Sequence, residues 1–192
     1  MNEDLKYRKA EPADAERIME IIRQAQAQMR ALGSLQWQDG YPARADIDRD
    51  IERGYGYVLE KSDAAENPAA AETPQKYDKG TVPGGVIAYG AAVFDGEPAY
   101  GAIDGAWLTG GDYVVLHRLA VADGEKGRGV AAEFMRRTEA LARGRGVGSF
   151  RVDTNFDNRY MLRMLERLRF AYCGKIIYES GERLAFEKPL EA

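Results

Sequence analysis

Cysteine and histidine are nearly missing from this 192-residue sequence, which carries one of each, Cys173 and His117, beside two tryptophans. A lone cysteine closes no internal disulfide and builds no cysteine-rich metal site, so a reducing compartment fits and no metal is expected. Long apolar runs are missing as well. The longest charge-free stretch, residues 80–94, is 15 residues long and includes Pro83 and glycines at 80, 84, 85 and 90. It falls short of the roughly 20 apolar residues that a membrane span needs. Nor is there a basic excess: 27 Lys and Arg against 31 Asp and Glu leave a net charge of −4, without the electrostatic footprint of a nucleic-acid binder. The opening Met1, Asn2, Glu3, Asp4, Leu5 and Lys6 lack the apolar core of a secretory signal. These absences predict a cytoplasmic protein that engages neither membrane nor nucleic acid. With 45% hydrophobic and 30% charged residues the chain has the composition of a folded protein. Its length predicts one domain over 1–192.

What is there divides into recognisable elements. A short strand over 5–9 precedes Pro12, and apolar residues at Ala15, Ile18, Ile22, Ala25, Met29 and Leu32 then follow a helical period that Gly33 closes. Ile47 and Ile51, four apart among charges, predict a second helix ended by Gly54. The period then drops to two at Tyr55, Tyr57 and Leu59, and a second strand runs over 86–94. Residues 62–83 between them hold almost no large apolar side chain and are expected to form a long, mobile hairpin loop. Turn signals at Asp95-Gly96 and Gly110-Gly111 flank an irregular piece over 102–108. Residues 113–122 read as a central strand, apolar on both faces. A glycine-rich turn over 123–129, a helix carrying Ala131, Phe134, Met135, Thr138, Leu141 and Ala142, a strand around Phe150 and Val152, a helix from Asn158, and two closing strands complete the order.

The turn Lys126-Gly127-Arg128-Gly129-Val130-Ala131 lies between a buried strand and a helix start. Glycines allow close backbone approach and the first amides of a helix have no partner within it, so such a turn can cradle an anion, with Lys126 and Arg128 adding positive charge. A plain connecting turn is the simpler alternative. Gly127, Gly129 and Ala132 also fit the dinucleotide pattern G-x-G-x-x-A, with Asp153 near the place of a ribose-binding acid. The strand, however, ends several residues before the glycines, and too little chain follows for further βαβ units.

The segment from Leu119 to Ala131 resembles the acetyl-CoA-binding segment of the GNAT superfamily of N-acetyltransferases, whose signature [Arg/Gln]-x-x-Gly-x-[Gly/Ala] is met by Lys126, Gly129 and Ala131 with lysine in the first place. Asp153-Thr154-Asn155 through Asn158, with Met161, Met164, Leu165 and Phe170 beyond, is similar to the superfamily's second CoA segment. The resemblance implies an α/β (α+β) GNAT-type fold, with a mixed, mostly antiparallel sheet of about seven strands flanked by four helices. It implies acetyl-CoA as cosubstrate, bound by Leu119, Ala120 and Val121 along the pantetheine, by Lys126, Gly127, Arg128, Gly129, Val130 and Ala131 at the diphosphate, and by Asn158. A backbone N–H of the splayed strand would polarise the thioester carbonyl.

The acceptor implied is a primary amine of a small molecule or a protein, attacking directly. Another acyl-CoA donor, or a CoA-binding sensor or interaction module with a dead site, are the alternatives; a homodimer is compatible with each. Direct attack requires the amine to lose a proton and the thiolate to gain one. His117, two and four residues from Leu119 and Val121, is expected on their strand face and is the candidate base, or else a half-buried histidine that only hydrogen-bonds. Many relatives carry a tyrosine where this chain has Leu165, which leaves Tyr160 and Tyr172 as candidate acids, and a common glycine before Phe170 is Arg169 here. Cys173 is read as packing. Trp37, Gln38, Asp39 and Tyr41 combine flat apolar surface with a carboxylate suited to an organic cation, and Asp112, Glu97 and Asp104 are further acids to attract it; Trp37 can equally be a packing plug.

Overall fold

A computed structural model describes residues 5–34, 36–62 and 85–190. The 62–83 loop expectation falls almost entirely outside them. Eight strands form one sheet in the order β1-β2-β3-β5-β6-β8-β7-β4, in which only β5 and β6 run parallel. The strands are β1 (Leu5–Lys9), β2 (Gly56–Lys61), β3 (Gly85–Val93), β4 (Asp104–Gly105), β5 (Tyr113–Val121), β6 (Ser149–Thr154), β7 (Ala171–Tyr178) and β8 (Gly181–Pro189). Four helices cover it: α1 (Ala15–Ala31), α2 (Arg44–Glu52), α3 (Val130–Gly144) and α4 (Arg159–Arg167).

The helices form where the apolar period demands. Helix α1 buries Ala15, Ile18, Ile22 and Ala25, and the Asp14 carboxylate accepts the Glu11 backbone N–H at 2.8 Å before its first turn. Arg8 of β1 also grips Asp14. The buried stripe of α3, Val130, Phe134, Met135, Thr138 and Ala142, joins Leu165 of α4 in a core with Val114, Leu116 and Val121 of β5. On the other face Ile18, Ile22 and Ile47 of α1 and α2 pack on Val58, Tyr89 and Ala120. A third cluster, Tyr100, Val115, Ile176 and Ala185, lies under the segment between β3 and β5. A strand buried on both faces needs apolar residues in succession, and β5 supplies them at Val114, Val115 and Leu116.

The strand count is eight because β4 lies within the piece expected to be irregular. Its two residues pair with β7 as Asp104↔Lys175 and Gly105↔Gly174. Gly105 and Gly174 face each other at φ +143° and +140°, and a Cβ on either would overlap a carbonyl oxygen of the opposite strand. So short a strand leaves no period to read. Arg169, at the place before Phe170 where relatives commonly carry glycine, keeps a left-handed turn: it adopts φ 65°, its N–H bonds to the Glu166 carbonyl at 3.0 Å, and α4 has ended just before it.

Candidate active site

Two irregularities of β5 make the site. Against β3, Tyr89 pairs with Ala120 but Ala91 pairs with His117, so β5 carries one extra residue at this point, and Arg118 there has φ 55°. The bulge resets the alternation: Val114 and Leu116 before it, and Leu119 and Val121 after it, all pack toward α3 and α4. His117 therefore does not share a face with Leu119 and Val121, which corrects the period-two expectation; it points to the opposite side, as Val115 does. Against β6, pairing stops at Val115↔Arg151, while β6 continues along β8 as far as Thr154↔Leu184. Beyond Val115 the two parallel strands splay into a wedge.

A cavity opens on each side of the wedge. The smaller, about 560 Å³, lies against Leu119, Ala120, Val121, the Lys126–Ala131 turn and α4. Gly127 and Gly129 both hold left-handed conformations, φ 78° and 81°, with open space before them, and the start of α3 has no side-chain cap. Its first amides are therefore free of the usual side-chain acceptor. Lys126 lines this cavity while bonded to Asp123 at 2.5 Å; Arg128, expected on the diphosphate, does not line it and stands 3.8 Å from the buried Glu125. Asn158 caps α4 by accepting the Met161 N–H at 3.1 Å and donates to Gln36 at 3.2 Å. Together with the Ser34–Asp157 bond of 2.9 Å, this fixes the loop bearing Trp37 over the junction.

The larger cavity, about 1110 Å³, shares Trp37, Leu119, Asn158 and Met161 with the first and extends to His117, Asp153, Asp39 and Tyr41. His117 Nε2 lies 3.2 Å from Glu97 Oε2. The His117 bond, with the Ala99 N–H, holds the Glu97 carboxyl below the usual carboxylate range although burial opposes it. Asp50, nearly inaccessible to solvent, accepts Arg118 Nε at 2.8 Å, Arg118 Nη2 at 2.6 Å and the Tyr89 hydroxyl at 2.6 Å. Arg118 Nη1 donates to the Tyr41 hydroxyl at 2.9 Å, tying the Trp37 loop to the bulge. Asp153 accepts from the Tyr100 hydroxyl at 2.7 Å and the Tyr178 hydroxyl at 3.4 Å; burial first, then this carboxylate, pushes the Tyr178 ionisation up, so the phenol keeps its proton.

Residues 29–170 match the model of the Acetyltransferase (GNAT) family. The chain belongs to the GNAT acetyltransferase family. A GNAT-family acetyltransferase structure from Streptococcus agalactiae 2603 is 32% identical, with 99% of this chain and 98% of that chain covered at TM-score 0.79. Two more distant structures share the fold: the ribosomal-protein-S18-alanine N-acetyltransferase from Escherichia coli (12% identity, coverage 98% and 95%, TM-score 0.58) and the NatC complex bound to Gag peptide and CoA (13%, 98% and 99%, 0.60). No curated protein matches the sequence.

The GNAT signature positions Lys126, Gly129 and Ala131 all line the smaller cavity. Tyr160 lines it too, but at 62% exposure and away from the larger cavity, whereas Tyr172 packs edge-on against Phe186 and lines neither. Trp37, Asp39 and Tyr41 line the larger cavity; Asp112 is exposed and lines neither. Trp37 also packs on the α1 and α2 core, as the packing reading expects. Cys173 is buried in the sheet. Sequence reasoning missed the Asp50–Arg118–Tyr89 cluster. Its signal was present: Asp50 sits beside Ile47 and Ile51 on the inner face of α2, and Arg118 interrupts an otherwise apolar strand.

Proposed function

We propose that the protein transfers an acetyl group from acetyl-CoA to a primary amine of a small molecule or a protein. The observation that carries this reading is the wedge between β5 and β6, which joins a glycine-lined cavity to an acid-lined one at Leu119. The chain's residues fit the donor. Gly127 and Gly129 leave room for a phosphate against the amides of α3, Lys126 and Arg167 border the same cavity, and buried polar atoms at the end of β6 lack partners among the described residues. The donor supplies an activated acetyl group at a thioester; everything else falls to the protein.

Leu119, just past the bulge where β5 has lost its neighbour, presents backbone to the junction and is the natural donor to the thioester carbonyl oxygen. On the acceptor side Asp39, Asp95, Glu97 and Asp153 have no arginine or lysine partner among the described residues, against Arg53 and Arg183 likewise without carboxylate partners. The surplus of carboxylates favours an ammonium. His117, held by Glu97, faces the same cleft and takes the proton that the amine loses before attack, with the carboxylate stabilising the imidazolium formed. A thiol-release assay with acetyl-CoA and a broad panel of amines tests the reading. Turnover on at least one amine is expected; acetyl-CoA binding without turnover on any would favour a CoA-responsive module instead.

A further inference from the structure

Two buried side-chain atoms find no hydrogen-bond partner among the described residues: the Thr154 hydroxyl and Asn155 Oδ1. Thr154 is 1% exposed, yet it borders the larger cavity beside Asn158 and Met161, across the wedge from Leu119. A buried hydroxyl without a partner costs roughly 1–3 kcal/mol of desolvation, so something must be gained from keeping it there. Nothing among the described residues pairs with it. Meanwhile the α4 position where relatives carry a tyrosine is Leu165, fully buried in the core with Phe150 and Phe170, so that helix directs no proton donor at the sulfur from that place. Tyr160 and Tyr172 lie outside the cleft where the chemistry is read.

We propose that the Thr154 hydroxyl is the hydrogen-bond donor to the sulfur that leaves in acyl transfer. The inference rests on the acetyl-transfer reading above. In that reaction the C–N bond forms, the C–S bond breaks and the electron pair departs on sulfur; of the two protons the ammonium gives up, one ends on sulfur and the other in solvent. Thr154 gives up no proton in the net reaction. Its O–H pairs with sulfur as negative charge grows there, an interaction stronger than with the neutral thioester, which is the condition for accelerating the step. The same contact satisfies the hydroxyl only when the donor is bound.

The test compares Thr154→Val, which keeps shape and removes the hydroxyl, with Thr154→Ser, which keeps the hydroxyl. Three measurements are made: thermal stability without ligand, kcat and KM for acetyl-CoA, and the pKa of the thiol of bound CoA followed by thiolate absorbance. Thr154→Val is expected to match or exceed the wild-type melting temperature, because an unsatisfied group has been removed. It should lose about 10- to 100-fold in kcat with little change in KM, the equivalent of one charge-assisted hydrogen bond. The bound thiol should ionise about one to two pH units higher in this variant. Thr154→Ser should stay near wild type in all three. A clear loss of stability in Thr154→Val would assign the hydroxyl to the fold, and a kcat within twofold of wild type, or an unmoved thiol pKa, would equally overturn the proposal. If wild-type protein binds CoA but acetylates no amine, the functional reading falls while the thiol pKa still decides Thr154; if it binds no CoA, both fall.

Discussion

His117 illustrates how much a single inserted residue changes. Without the bulge it would point with Leu119 into the α3 and α4 core; with it, the ring turns to the acid-lined cleft and meets Glu97 at 3.2 Å. A carboxylate on one imidazole nitrogen fixes the tautomer and orients the ring, as a base needs. His117→Ala is expected to lower kcat/KM by about 10²- to 10⁴-fold. An unchanged kcat/KM would leave the ring a structural role only. The extra residue itself was not legible, because period-two reasoning assumes unbroken alternation and an insertion inside an apolar strand does not alter composition. The charge of Arg118 was the legible trace: a guanidinium in such a strand requires a buried partner, here Asp50 from an element 68 residues away.

Among the elements, those with long apolar periods were readable in advance and those fixed by backbone geometry were not. Helices α1 and α3 follow their sequence stripe because only one face can be buried. Strand β4 exists because two glycines permit a close crossing. The start of α3 lies between these cases: its glycines were visible, and the structure adds that Gly129 is left-handed at the N-cap with open space where a side chain would project. A substitution there strains the backbone without a collision in the empty cavity. Gly129→Val should therefore keep the circular dichroism of the folded protein. It should lose on the order of tenfold in acetyl-CoA affinity, since a left-handed β-branched residue costs about 1–2 kcal/mol and the relaxed turn misaligns the amides. Wild-type affinity, measured by calorimetry, would remove the turn from the donor site.

Across the whole molecule, a buried carboxylate of β8 is tied to the wall of the larger cavity. Glu187 is fully buried and accepts from the Thr109 hydroxyl at 2.6 Å, the Ser149 hydroxyl at 2.5 Å, the Leu108 N–H and Arg151 Nε at 3.2 Å. Arg151 stacks on Trp107 and Tyr113, and Trp107 donates to the carbonyl of Tyr100, whose hydroxyl reaches Asp153 in the cleft. Burial pushes the Glu187 carboxyl up, but its hydrogen bonds and Arg151 outweigh that and hold it below the ordinary carboxylate value of 4.5; Glu97, Glu133 and Asp14 are lowered as well. A carboxylate depressed in the folded state takes up its proton more readily once unfolded. Its stabilisation is complete above the unfolded value and is lost as the pH falls through the lower folded one. The free energy of unfolding should thus stay nearly flat from pH 7 to about 5 and then decline steadily in acid. Glu187→Gln cannot take up that proton, so its decline below pH 5 should be shallower than wild type, while at pH 7 it should be less stable because Arg151 loses its counter-charge, by an amount up to about 3–5 kcal/mol. Urea unfolding from pH 7 to pH 3 measures both effects. Parallel wild-type and variant curves would mean that Glu187 carries none of the acid sensitivity, and that the wall of the larger cavity is anchored by packing on Trp107 rather than by charge.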